Sequence, residues 1–185
     1  MEFDETLAKV CNELEVHGIP YMIIGGQAVL FHGFVRVTED IDITLGISIA
    51  DSEKLLNLLP KINCNPLVKD PKDFIKSTWV LPVRENTSKV KIDFTFSFSD
   101  YENQAILNSK SIKLGDKKVQ FCSINDLIVH KIFAGRPRDL EDIKNVFLKN
   151  KKEVNLDYIY KWLKGLSAGT DKDYVKLLNE TIKEL

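Results

Sequence analysis

The sequence has no apolar run that approaches the roughly 18 residues needed to cross a bilayer, so no membrane-spanning helix is expected. Its opening stretch, MEFDETLAKV, is acidic and amphipathic and lacks the apolar core of a secretory signal. Cysteine is scarce. Cys11, Cys64 and Cys122 are odd in number and far apart, with no Cys-x-x-Cys or Cys/His cluster, which argues against a disulfide framework or a zinc site and for buried free thiols. Excess charge is missing as well: 26 Lys+Arg against 27 Asp+Glu leave a net charge of −1, and no global basic field speaks for nucleic acid. There is no internal repeat, low-complexity tract or Gly/Ser-rich linker. These absences predict a protein of the reducing cytoplasm with no membrane partner. At 185 residues it can form one domain with a real core, or one domain plus a helical appendage.

What is present is patterned. Phe3, Leu7, Val10 and Leu14 recur at helical spacing and predict a helix over 3–16, ended by Gly18 and Pro20. Tyr21–Ile24 is a short apolar run that feeds Gly25-Gly26, after which 27–31 starts a helix closed by His32-Gly33. Residues 40–45 alternate Asp40, Asp42, Thr44 against Ile41, Ile43, Leu45, which predicts a strand with one polar face. A helix is expected over 49–59. The prolines at 60, 66 and 71 suggest irregular chain after it. Strands are expected over 79–83, where Pro82 suggests an edge, and over 90–98, where Phe94, Phe96 and Phe98 read as core. Gly115-Asp116 reads as the turn of a hairpin. From Ser123, an N-cap with Asp126 three residues on, the pattern becomes helical to the end, broken at Gly135-Arg136-Pro137. The expected fold is α/β (α+β), a mixed twisted sheet with flanking helices. A core over 1–122 would be followed by a helical C-terminal segment over 123–185.

Asp40-Ile41-Asp42 carries the chemistry. Residues i and i+2 of a strand point to one side, so two like charges lie several ångströms apart and repel. A divalent cation removes that cost, because hard oxygen ligands suit magnesium. Alone, the pair is more often what a solvated sheet face shows. Asp93 sits on a second alternating strand, Lys91-Ile92-Asp93-Phe94-Thr95. If the two strands are neighbours, three carboxylates converge, enough to hold the two metal ions of a phosphoryl-transfer site. Gly25-Gly26 between strand and helix lets backbone N–H groups approach a phosphate, although a tight turn needing positive φ would use the same residues.

Together these residues resemble a known signature. Gly25-Gly26-Gln27-Ala28, then His32-Gly33, Arg36, Thr38 and Asp40-Ile41-Asp42-Ile43, look like the DNA polymerase β nucleotidyltransferase superfamily, in the form used by AbiEii/MenA-like toxin nucleotidyltransferases. Asp126-Leu127-Ile128-Val129-His130-Lys131 and Arg136-Pro137-Arg138-Asp139 are similar to the paired-helix motif of that group. The resemblance implies transfer of an NMP from an NTP to a hydroxyl on RNA, protein or a small molecule, with Mg2+ (or Mn2+) held by Asp40, Asp42 and Asp93. It implies nucleotide contacts from Gly25, Gly26, Arg36, Thr38, Lys131 and Asp139, with Lys131 on the triphosphate and Asp139 supporting it. A toxin role would bring tRNA or protein as acceptor and an antitoxin as partner. Gly26 departs from the more common serine, so a phosphate-contacting hydroxyl is missing unless Gln27 or Thr38 replaces it. The other reading is a non-catalytic module of the same fold, in which the acids are surface charges.

Overall fold

Alternation decides the centre of the sheet. In Asp40–Leu45 (β2) and Lys91–Phe96 (β5), the side chains of Ile41, Ile43, Leu45, Ile92, Phe94 and Phe96 are all 0% exposed. The two strands pair in parallel, Ile41↔Ile92, Ile43↔Phe94 and Leu45↔Phe96, so one face of the pair is continuous core. Burying each phenylalanine contributes about 1.5–3 kcal/mol, which sets the register, since a one-residue slip would expose both. The computed structural model describes residues 2–183 and 185, and within them it forms a seven-stranded mixed sheet. Its strands are Tyr21–Ile23 (β1), β2, Cys64–Pro66 (β3), Val80–Glu85 (β4), β5, Lys110–Leu114 (β6) and Lys117–Phe121 (β7), in the order β3-β4-β5-β2-β1-β7-β6. Helices Glu2–Val16 (α1), Ser52–Leu58 (α3, after a 3-10 turn at Ile49–Asp51), Pro71–Thr78 (α4) and Asp100–Leu107 (α5) accompany the sheet; helix Gly25–Phe31 (α2) follows β1. The α+β class read from the sequence is the fold observed.

The chain divides into two compact units. One holds the chain up to Gln27 together with Val37–Cys122; the other holds Ala28–Arg36 and Ser123–Leu185. The second contains the end of α2 and helices Ile124–Ala134 (α6), Pro137–Lys149 (α7), Leu156–Ser167 (α8) and Tyr174–Ile182 (α9). Ser123, Asn155 and Asp173 cap α6, α8 and α9 with side chains that accept from backbone N–H groups. Gly135 at φ 63° ends α6, and Pro137 starts α7. No described helix is long and apolar enough to cross a membrane.

Three local expectations are corrected. Residues 60–78 are irregular only in part, at 60–63 and 67–70: Pro66 closes β3 and Pro71 opens α4, positions where a missing N–H costs nothing. Helix α5 follows Ser99-Asp100-Tyr101-Glu102, where Glu102 accepts from the Ser99 N–H at 2.9 Å and from its hydroxyl at 2.6 Å; the Ser-x-x-Glu spacing was its sequence signal. β4 is an inner strand, yet Pro82 is tolerated there. Its carbonyl accepts from Leu67 N at 2.9 Å, so its missing N–H faces the same way, beyond the last paired residue of the short β3 and away from β5. Phe98 lies past the end of β5 and is 55% exposed, unlike Phe94 and Phe96.

Glu85 fastens the β4–β5 turn. It is buried, and it accepts from Ser88 N at 2.6 Å, Ser88 Oγ at 2.9 Å, Thr87 N at 2.8 Å and Asn63 Nδ2 at 2.8 Å. Burial alone would raise its pKa, but the hydrogen bonds together outweigh burial and hold it down at about 2. A depressed carboxylate stabilises above its unfolded value, here 4.5, and loses that contribution as pH falls through about 2. Glu85→Ala is expected to cost about 2 kcal/mol at neutral pH in urea unfolding, from four lost acceptor contacts offset by solvation of the freed donors. The deficit should shrink below pH 4.

Candidate active site

β2 and β5 bring the three acids to one place. Asp42 and Asp93 are direct register partners and Asp40 lies two residues before Asp42, so all three project from the face opposite Ile41 and Ile92. Each carboxylate offers an oxygen, and the three oxygens lie within 4.8 Å of one another; all three residues are half-buried. Asp93 is not aimed at the far side of the sheet. An all-oxygen set of three carboxylates fits a hard divalent cation and fits a soft metal poorly. Three negative charges at this spacing repel unless a cation joins them.

The glycine turn belongs to the same cluster. Gly25 has φ 63°, and a side chain there would collide with the Asp42 carboxylate. Gly26 needs no unusual φ, but a Cβ on it would lie 2.6 Å from Thr38 Oγ1 and 2.8 Å from Thr38 Cβ. Both glycines are therefore explained by close approach to the site, and Gly25 also by its backbone. Thr38 Oγ1 donates to Asp40 Oδ1 at 3.2 Å or to the Asp40 carbonyl at 3.3 Å. A threonine hydroxyl occupies the space that a side chain at position 26 would take.

Lys91 was placed on the polar strand face by sequence but given no role. Its Nζ donates to Asp93 Oδ2 at 2.6 Å. That bond, with Asp93, Asp40 and Asp42 nearby, raises the lysine pKa against the opposing effect of burial. The signal was there: Lys91 and Asp93 share the i, i+2 spacing that singled out Asp40 and Asp42.

The remaining residues expected to bind nucleotide, Arg36, Lys131 and Asp139, meet in the second unit. Lys131 is 4% exposed; its Nζ donates to Asp139 Oδ1 at 2.9 Å and to Asp142 Oδ2 at 2.7 Å. The Lys131–Asp139 pair is a direct contact between the two residues that the resemblance put together. Arg36 donates to the same Asp142 Oδ2 at 2.6 Å, and Arg136 Nε donates to Asp139 Oδ2 at 2.6 Å. Two buried carboxylates are thus shared by three cations, and Asp142 ties Arg36 to both helices of the paired motif. Burial raises the pKa of Asp139, but the bonds from Arg136 and Lys131 outweigh it and lower the value overall. His130, next to Lys131, is half-buried with its Nε2 out of solvent, and burial pushes its pKa down to about 4.

A protein-family model described as "Nucleotidyltransferase of unknown function (DUF6036)" matches residues 1–181. No curated protein matches the chain by sequence. Among solved structures, the solution structure of the antibiotic-resistance factor ANT(2'')-Ia is similar with a TM-score of 0.62 at 13% identity, over 90% of this chain and 94% of that one. An antigenic nucleotidyltransferase-like protein from Paracoccidioides brasiliensis has a TM-score of 0.58 at 17% identity, over 98% and 92%. The lincosamide antibiotic adenylyltransferase LnuA, solved with lincomycin bound, has a TM-score of 0.53 at 17% identity, over 77% and 94%. At these identities the likeness is one of fold.

Proposed function

Since the chain belongs to the nucleotidyltransferase family DUF6036, we propose that it transfers an NMP from an NTP to an acceptor hydroxyl, with Asp40, Asp42 and Asp93 as the metal-binding and catalytic residues. The observation that carries this reading is the meeting of three carboxylate oxygens within 4.8 Å on adjacent parallel strands beside a side-chain-free turn. Bound Mg2+ or Mn2+ would supply Lewis-acid stabilisation of the charge that develops on the phosphate oxygens. Asp40 and Asp42 would hold the ion, and Asp93 would complete the set. The acceptor oxygen attacks the α-phosphorus, the bond from that phosphorus to the bridging oxygen of pyrophosphate breaks, and the hydroxyl proton passes to the Asp93 carboxylate. The backbone at Gly25 and Gly26 receives the triphosphate, and the Thr38 hydroxyl serves where a serine at position 26 is absent. Arg36 and Lys131 are the cations for the nucleotide, with Asp139 positioning Lys131.

A small hydroxylated molecule is the acceptor we favour. The likeness of fold to two antibiotic-directed proteins, with 94% of ANT(2'')-Ia and of LnuA covered, supports this choice. The toxin reading, with tRNA or protein as acceptor and an antitoxin as partner, rests on the His32-Gly33, Arg36, Thr38 form of the motif. Incubation with each α-labelled NTP, Mg2+ or Mn2+, and lincomycin, total tRNA or lysate separates these cases. The expected result is EDTA-sensitive label on one acceptor class, with release of pyrophosphate. Label on tRNA or on one protein band would favour the toxin reading. No transfer and no metal-dependent nucleotide binding would leave only the non-catalytic module.

A further inference from the structure

The polar face of β2 and β5 carries a cation among its acids. Lys91 stands opposite Asp40 in the parallel register, next to the Asp42–Asp93 pair. Its ammonium donates to Asp93 Oδ2 at 2.6 Å, although the lysine side chain is 40% exposed and has water within reach; the Asp93 side chain is 22% exposed. On the other side of β5 its partner is Arg84, whose guanidinium turns to the Lys89 carbonyl at 2.9 Å. Like charges opposite one another are unfavourable, so Arg84 gives Lys91 no reason to stay on this face. The acids do. The ammonium binds an oxygen of a carboxylate that a divalent ion also needs, and two cations on one carboxylate repel.

Resting on the reading of the triad as a metal site, we propose that Lys91 is a tethered counter-cation, a positioning residue that holds Asp93 in place before a divalent ion binds and competes with that ion for its carboxylate. Metal loading is then an exchange of one cation for another. The lysine keeps the acids from splaying apart without metal, and it weakens the site's affinity for a free ion.

The test is direct Mn2+ binding, followed by the EPR signal of free Mn2+ at fixed pH and about 0.1 M salt, where screening between exposed charges acts beyond roughly 10 Å. Lys91→Met removes the charge and keeps the stem; Lys91→Arg keeps the charge. Lys91→Met is expected to bind Mn2+ about tenfold more tightly, the scale of one charge-assisted hydrogen bond discounted for solvent exposure. Lys91→Arg should stay within about threefold of the parent, because the competing charge remains. In EDTA the Met variant should melt below the parent, and saturating Mn2+ should close the gap. A side chain that only packs would give neither the tighter binding nor the rescue. Lys91→Gln, run in parallel, gives the same comparison if the Met variant folds poorly. Equal or weaker Mn2+ binding by the folded neutral variants would overturn the proposal and leave the metal site standing. Absence of Mn2+ binding in parent and neutral variants alike would overturn both.

Discussion

Asp40→Asn and Asp42→Asn should each lower nucleotide transfer by about 10³-fold or more, roughly 4 kcal/mol of lost transition-state stabilisation, while the protein stays folded. The substitution is nearly isosteric, so packing is little disturbed. It removes one of three negative charges whose oxygens lie within 4.8 Å of one another. Without metal, that loss relieves repulsion, and the asparagine at position 40 can still accept from Thr38. The melting temperature in EDTA should therefore hold or rise. With Mn2+ at about 100 times its Kd, the parent should gain about 2.7 kcal/mol by linkage, and the variants should gain much less. A thermal melt with and without Mn2+, beside the transfer assay, reads both effects. Transfer retained in both variants would remove the triad from the chemistry. A variant that loses activity and also unfolds in EDTA would point to a structural role for the carboxylates instead.

Lys131→Met is expected to destabilise the protein by about 3–5 kcal/mol, measured by denaturant unfolding at neutral pH, because it strands two buried carboxylates without their shared cation. Asp139 and Asp142 are 4% and 3% exposed, and each takes a hydrogen bond from Lys131. Arg136 and Arg36 remain as partners, which places the cost nearer the lower end of that range. Adding Asp142→Asn should recover part of the loss, since the unpaired charge is then gone and the two changes are coupled through one contact. The pH dependence has a definite sign. The folded pKa of Asp139 is lowered from 3.8, so its pairing stabilises above that value and is lost as pH falls below it. The parent should therefore weaken in acid more steeply than Lys131→Met. If the variant is as stable as the parent, the network does not hold the second unit together.

Much of the first unit was legible because period-2 alternation survives folding. In β2 and β5 the residues that alternate in sequence are the ones buried, and the acids therefore share the opposite face. Local chemistry was also readable at chain punctuation: Gly135, Pro137 and the Ser123 cap end and start helices where expected. What failed was proline read as a sign of irregular chain or of a sheet edge. A proline weakens a ladder or a helix only where its N–H would be used, and Pro66, Pro71 and Pro82 all sit where it is not. Helix α5 was missed because it is short and its apolar residues make no clear helical stripe, although its cap was written in the sequence. The pairing of Arg36 with Asp142, 106 residues apart, has no local signal at all.

By itself the sequence determined which residues could share a face: Asp40 with Asp42, Lys91 with Asp93, and the helical stripe that carries Lys131. Spacing along a strand or helix decides this through backbone geometry alone. Only the tertiary structure decided that β2 lies beside β5 in the register that sets Asp42 against Asp93, and that Gly25 leaves room for the Asp42 carboxylate. Such choices depend on which surfaces bury the most apolar area together, a property of the assembled core that no short stretch of the chain contains.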